Sequence, residues 1–231
     1  MLSKILLSIL PGIIFCLVFY LLDKNKSKKN LFLLIILFFI GGIGAYVTHR
    51  FEWHFGSYFP KFKDSNMWQV LIYAVFGVAI FEEGYKWLFT LISVFIAKIN
   101  SIFEAIVYAV FCSAGLATFE NLFYYNLNND ITVSIVRLFV TVPSHICNAI
   151  VMGLFIGLGY KYKKISLYFL ALVMATIVHA LYNWFIYKPG LFDFSVHYIY
   201  YVILCMICIY ICSVVINKEW FYAWIYWTRI G

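Results

Sequence analysis

Four short stretches of this chain carry groups that belong in water but sit inside apolar runs. They are Phe81-Glu82-Glu83-Gly84-Tyr85-Lys86, Phe119-Glu120-Asn121-Leu122-Phe123-Tyr124, His145 with Asn148 three residues on, and His179 with Asn183 four residues on. A charged side chain at the centre of a bilayer costs roughly 2.5–3.5 kcal/mol on an insertion scale, so each such group is a functional candidate by default. Glutamate and histidine together supply what peptide hydrolysis needs, a base to activate water and a donor to stabilise the oxyanion. Within the glutamate doublet, one carboxylate is available as base while the other holds Lys86. His145, His179 and a glutamate also have the stoichiometry of a Zn²⁺ site with an open fourth position, although no HExxH motif is present.

Other catalytic systems fit less well. Ser113 has no obvious paired base, Cys147 lies two residues from His145 and so off its helical face, and Asp23, Asp64, Asp130 and Asp193 all fall in connections. For Asn121, Tyr124 or Asn148 taken singly, hydrogen-bond glue between helices is an adequate explanation. Arg137, near the outer end of an apolar run, is ambiguous: snorkelling explains it, though it stands two turns before His145 on a similar face.

The elements that position these groups must be membrane helices. Of 231 residues, 65% are hydrophobic and 12% charged. The apolar runs approach the 20 or so residues of a bilayer span, and lipid requires every backbone group to be paired internally. The sequence predicts an all-α, polytopic bundle of seven spans, at about 3–22, 31–48, 68–97, 103–127, 132–160, 165–187 and 196–216. These form a single membrane domain over the whole chain, with a catalytic core at about 68–187, N-terminal helices at 3–48, a C-terminal helix at 196–216 and an interfacial tail at 217–231. The stretch from His49 to Met67 reads as the longest external connection, rich in interfacial aromatics.

The net charge of +7 resides in short connections, so it reports topology rather than nucleic-acid binding. Lys24, Lys26, Lys28 and Lys29 mark the first connection as cytoplasmic, and alternation then places the N-terminus outside and the C-terminus inside. Measured along the helices at about 1.5 Å per residue, Glu83 and His145 fall near mid-span, while Glu120 and His179 are displaced outward by about 8 and 5 Å. One site near the midplane can hold them all. Glu82 with Lys86, Glu120 with Tyr124 and His179 with Asn183 are each i, i+4 pairs on one face.

These residues resemble the PrsW family of intramembrane proteases, whose members carry EExxK, FExxxY and histidine motifs ending in Hxxx(D/N) on successive helices. Glu82 to Lys86, Phe119 to Tyr124, His145 and His179 to Asn183 match in order, over about residues 68–187. Phe103 to Tyr108 also fits the loose second motif, but Glu104 stands at a helix start and is set aside. Lys86 favours PrsW over the EExxxR form of the related CAAX-protease and bacteriocin-processing group.

The resemblance implies an intramembrane endopeptidase in the bacterial cytoplasmic membrane, making a site-1-type cut in a membrane-anchored protein such as an anti-sigma factor. It implies Glu82, Glu83, Glu120, His145 and His179 as catalytic residues, with Lys86, Tyr124, Asn121 and Asn183 in support. His145 and His179 are then candidate ligands if the enzyme uses Zn²⁺. Asn183, in place of Asp, removes one anionic ligand. A proton- or ion-coupled transporter and a CAAX-type prenyl-protein endopeptidase are the competing readings. The first predicts inverted repeats, which are not evident.

Overall fold

The computed structural model describes residues 2–23, 31–59, 66–127, 137–187 and 194–230. Among these, seven helices are long and apolar enough to cross a membrane, as the run lengths require. We label them α1 (Leu2–Leu22), α2 (Leu31–Gly56), α3 (Met67–Ala97), α4 (Ile102–Leu127), α5 (Arg137–Tyr162), α6 (Ile165–Tyr187) and α7 (Phe194–Ile230). The expectations placed on Lys24, Lys26, Lys28 and Lys29, and on a fifth span starting at 132, lie outside the described residues.

Two boundaries differ from expectation. The second helix runs two turns past residue 48, to Gly56, because no helix breaker stands between Thr48 and Gly56 and its buried stripe of Gly41, Ala45 and Thr48 continues toward Glu52. The tail from 217 onward continues α7 as helix to Ile230.

The fourth helix is the axis of the bundle: 89% of its apolar window is buried, against 22% for α7. It achieves this with small side chains. A Cβ on Gly115 would lie 1.9 Å from the Phe38 carbonyl oxygen, and one on Gly41 would lie 2.0 Å from that of Cys112. Glycine at both positions therefore lets the backbones of α2 and α4 touch, the main packing device available where lipid and side chains are equally apolar. Gly153 allows the same closeness between α5 and α4 at Ile106.

Two π-helical segments interrupt the regular helices, Tyr73–Ala79 in α3 and Arg137–Thr141 in α5. Each ends within a few residues of a glutamate or histidine of interest. A π segment shifts the register of the helix beyond it and recurs at functional sites.

Candidate active site

Because neighbouring helices run antiparallel, the C-terminal halves of α2, α4 and α6 share one end of the bundle with the N-terminal halves of α3 and α5. Glu82, Glu83 and Lys86 on α3, Glu120 on α4, His145 on α5 and His179 on α6 meet there. Glu82, Glu83, Lys86, His145 and His179 are buried, and Glu120 is nearly so.

The two adjacent glutamates have different surroundings. One oxygen of Glu83, Oε1, takes Lys86 Nζ, His179 Nδ1 at 2.7 Å and Asn148 Nδ2 at 3.4 Å. This carboxylate binds three helices together. Glu82 faces elsewhere. Its Oε2 is buried without a hydrogen-bond partner, 3.8 Å from His145 Nδ1.

His145 Nε2 lies 3.0 Å from Glu120 Oε2. Its Nδ1 lies 3.5 Å from Lys86 Nζ, which can only donate, so a neutral His145 carries its proton on Nε2 and donates to Glu120. On the same reasoning His179 donates from Nδ1 to Glu83, leaving the Nε2 lone pair free. The two imidazoles stand edge to face with centroids 5.5 Å apart.

Asn121 and Tyr124 serve the cluster through Arg137. Arg137 Nη2 reaches Glu120 Oε1 at 2.8 Å, its Nε donates to Asn121 Oδ1 at 2.8 Å, and its guanidinium covers the Tyr124 ring at 4.0 Å. Arg137 is thus turned into the protein. Of the two readings of Arg137, snorkelling gives way to the other, its place two turns before His145 on a similar face. Asn183 is buried one turn beyond His179, outside the bonds just described. Ser113 donates to the His145 carbonyl at 2.8 Å and so fixes the level of α5 against α4. Glu104 accepts from Asn100 N while Ser101 Oγ accepts from Glu104 N, a capping arrangement at the start of α4.

Glu52 is the residue that sequence reasoning missed, because it was assigned to a loop. Near the end of α2 it lines a cavity of about 60 Å³ together with Thr48, Glu82, Glu120 and Tyr124. That volume holds a few water molecules. A second cavity of about 740 Å³ shares His49, Glu52 and Tyr124 with the first and widens toward Trp53, Phe59, Tyr73 and Tyr187. The two form one route from the end of the bundle to Glu82 and Glu120.

A metal has a place in this arrangement. Glu82, Glu120 and His145 each offer a ligand atom, all within 4.8 Å of one another. Glu82 Oε2, buried and without a partner, is an available donor for such a group. Of the two histidines expected as ligands, His145 belongs to this group, and His179 stands outside it, bonded to Glu83.

Comparison with known proteins gives the same direction. A family model described as PrsW family intramembrane metalloprotease matches residues 29–211. Protease PrsW of Oceanobacillus iheyensis is 29% identical over 189 residues, covering 79% of this chain and 82% of the relative. Protease PrsW of Clostridioides difficile is 28% identical over 220 residues, covering 91% and 86%. Protease PrsW of Bacillus subtilis is 26% identical over 185 residues, covering 76% and 78%. No solved structure matches the chain.

Proposed function

The chain belongs to the PrsW family and is a multi-pass intramembrane protease, and from that premise we propose how its buried cluster cuts a peptide bond. Glu82 and Glu120 line the water-sized cavity, with His145 directly behind them, and the scissile peptide meets the attacking water there. These three residues would hold the divalent cation that the family's description implies, with Zn²⁺ suited to a donor set of imidazole and carboxylate. When bound, such a cation supplies Lewis acidity toward water and the scissile carbonyl.

The proton is handled by the neighbouring pair. Glu83 holds the His179 tautomer whose Nε2 lone pair is free, so His179 takes a proton from water and returns it to the leaving amine. Lys86 neutralises Glu83, keeping that carboxylate an orienting group rather than a competing base. Arg137 performs the same service for Glu120. The observation that carries this division of labour is the contrast within the doublet: three donors converge on Glu83 Oε1, whereas Glu82 Oε2 has none and its carboxyl lines the small cavity.

The substrate is a membrane-anchored protein, cut on the extracytoplasmic side of the cell membrane. The basic connections support that side, since they put the cavity-bearing end of the bundle outside. An anti-sigma factor with one span fits this class.

The test is a double-mutant cycle on purified protein cleaving a single-span substrate. Glu83→Gln and His179→Ala each lose about 10²–10⁴ in kcat, the range of general base catalysis, and the double variant is no worse than the poorer single. Independent, multiplying losses would show that the two residues are not a unit, and parental rates in both would remove them from the mechanism.

A further inference from the structure

The charges of the cluster do not balance among the described residues. Lys86 is committed to Glu83, and Arg137 to Glu120. Glu52 and Glu82 remain. The carboxyls of Glu52, Glu82 and Glu120 line the same small cavity. The ion-pair partners of the two uncommitted glutamates are histidines, His49 Nδ1 at 4.0 Å from Glu52 Oε2 and His145 Nδ1 at 3.8 Å from Glu82 Oε2. Carboxylates sharing one small cavity repel each other unless a cation or a proton lies among them. Glu82 is 5% exposed and its Oε2 has no partner, so the place where the compensating charge is missing is also the place with an open oxygen.

We propose that Glu52 is a fourth acidic member of a divalent-cation site, taking up the ion together with Glu82 on the cavity side of Glu120 and His145. The ion's two positive charges answer the two uncommitted carboxylates. Supplying this donor is also a reason for α2 to remain helical through Glu52, beyond its seam with α4. Three carboxylates and one imidazole form an oxygen-rich set, so the site accepts Mn²⁺ as well as Zn²⁺. The inference rests on the reading of Glu82, Glu120 and His145 as cation holders and adds a residue from a helix outside the recognised motifs.

The experiment uses full-length protein, purified in detergent and stripped of metal. It is titrated with Mn²⁺ alone, followed by the paramagnetic resonance of the free ion, and with Zn²⁺ alone in competition with a chromophoric chelator. Glu52→Gln weakens Mn²⁺ uptake by at least about tenfold, Glu52→Asp recovers most of the loss, and Zn²⁺ suffers less than Mn²⁺.

A thermal readout separates a charge role from a packing role. Without cation, Glu52→Gln melts at or above the parent, because one of two repelling carboxylates is gone. With saturating Mn²⁺ it gains less than the parent does, since stabilisation by a bound ion follows its affinity. A Gln variant that binds Mn²⁺ as the parent does, or Gln and Asp variants equally impaired, would overturn the role of Glu52. A Glu82→Gln control distinguishes the levels. Uptake lost in Glu82→Gln but kept in Glu52→Gln rejects Glu52 alone, whereas a parent that takes up no ion, with Glu82→Gln identical to it, rejects the cation site as a whole.

Discussion

The seam between α2 and α4 and the acid–base cluster between α3, α4, α5 and α6 are built from the same central helix by opposite rules. At the seam, Gly41 and Gly115 bring backbone against backbone with no room for a methyl group. One and a half turns along α4, Glu120 opens onto a cavity, and buried polar atoms around it, Glu82 Oε2, Glu83 Oε2, Ser144 Oγ and Asn148 Oδ1, have no hydrogen-bond partner. Native proteins keep such orphans few, and each one asks for an explanation. Stability in this bundle is therefore concentrated in a dry, small-residue contact, which leaves the adjoining site free to hold charges in an arrangement that is poor for folding and suited to chemistry.

Substitutions in the two regions should then have separable effects. The largest is at the cluster, where Glu120→Gln removes both the acceptor of His145 and the partner of Arg137. Cleavage falls by at least about 10² while the helical signal and elution volume stay parental. A variant that unfolds instead would erase the distinction between the two regions, because the cluster would then be holding the bundle together.

Next comes the seam. Gly115→Ala puts a methyl group against the Phe38 carbonyl and forces α2 from α4, costing about 1–3 kcal/mol or more, as overpacking does. It appears as a lowered midpoint of thermal unfolding in detergent, with the folded fraction still cleaving substrate. Smaller still is Ser113→Ala, which frees the His145 carbonyl. A membrane hydrogen bond of this kind averages about 0.6 kcal/mol and reaches about 1.7, so a modest drop in midpoint is expected. The smallest effect is at Gly84, where a Cβ meets nothing within 4 Å although Glu83 is its neighbour. Gly84→Ala is neutral or stabilising by up to about 1 kcal/mol, through helix propensity alone. A large loss there would mean that the doublet is more tightly enclosed than its surroundings indicate.

The spans and the doublet were legible in the sequence for one physical reason: run length and the cost of burying charge are both local properties. Depth counting along helices then brought Glu83, Glu120, His145 and His179 within reach of one site near the midplane, and the structure places them in one cluster joined through Lys86. What stayed hidden depends on packing between helices. Arg137 is ambiguous until Glu120, Asn121 and Tyr124 are seen beside it. Glu52 looks like a loop residue because the aromatic and charged stretch after Thr48 resembles an interface, and only the continued helix turns it toward Glu82. The π segments carry no composition signal at all. Cys147 meets Cys205 at 3.9 Å between α5 and α7, a contact that spacing along either helix alone does not reveal.

If hydrolysis occurs at the cavity-lining carboxylate of Glu82, and not only beside the donor-held one of Glu83, then removing that single charge must abolish the cut. The decisive measurement is single-turnover cleavage of a single-span substrate by purified parent and by Glu82→Gln, with the new termini identified by mass spectrometry. One defined cut by the parent and none above background by Glu82→Gln, its fold intact, is the expected result, whereas cleavage by that variant at the parental rate and position would contradict it.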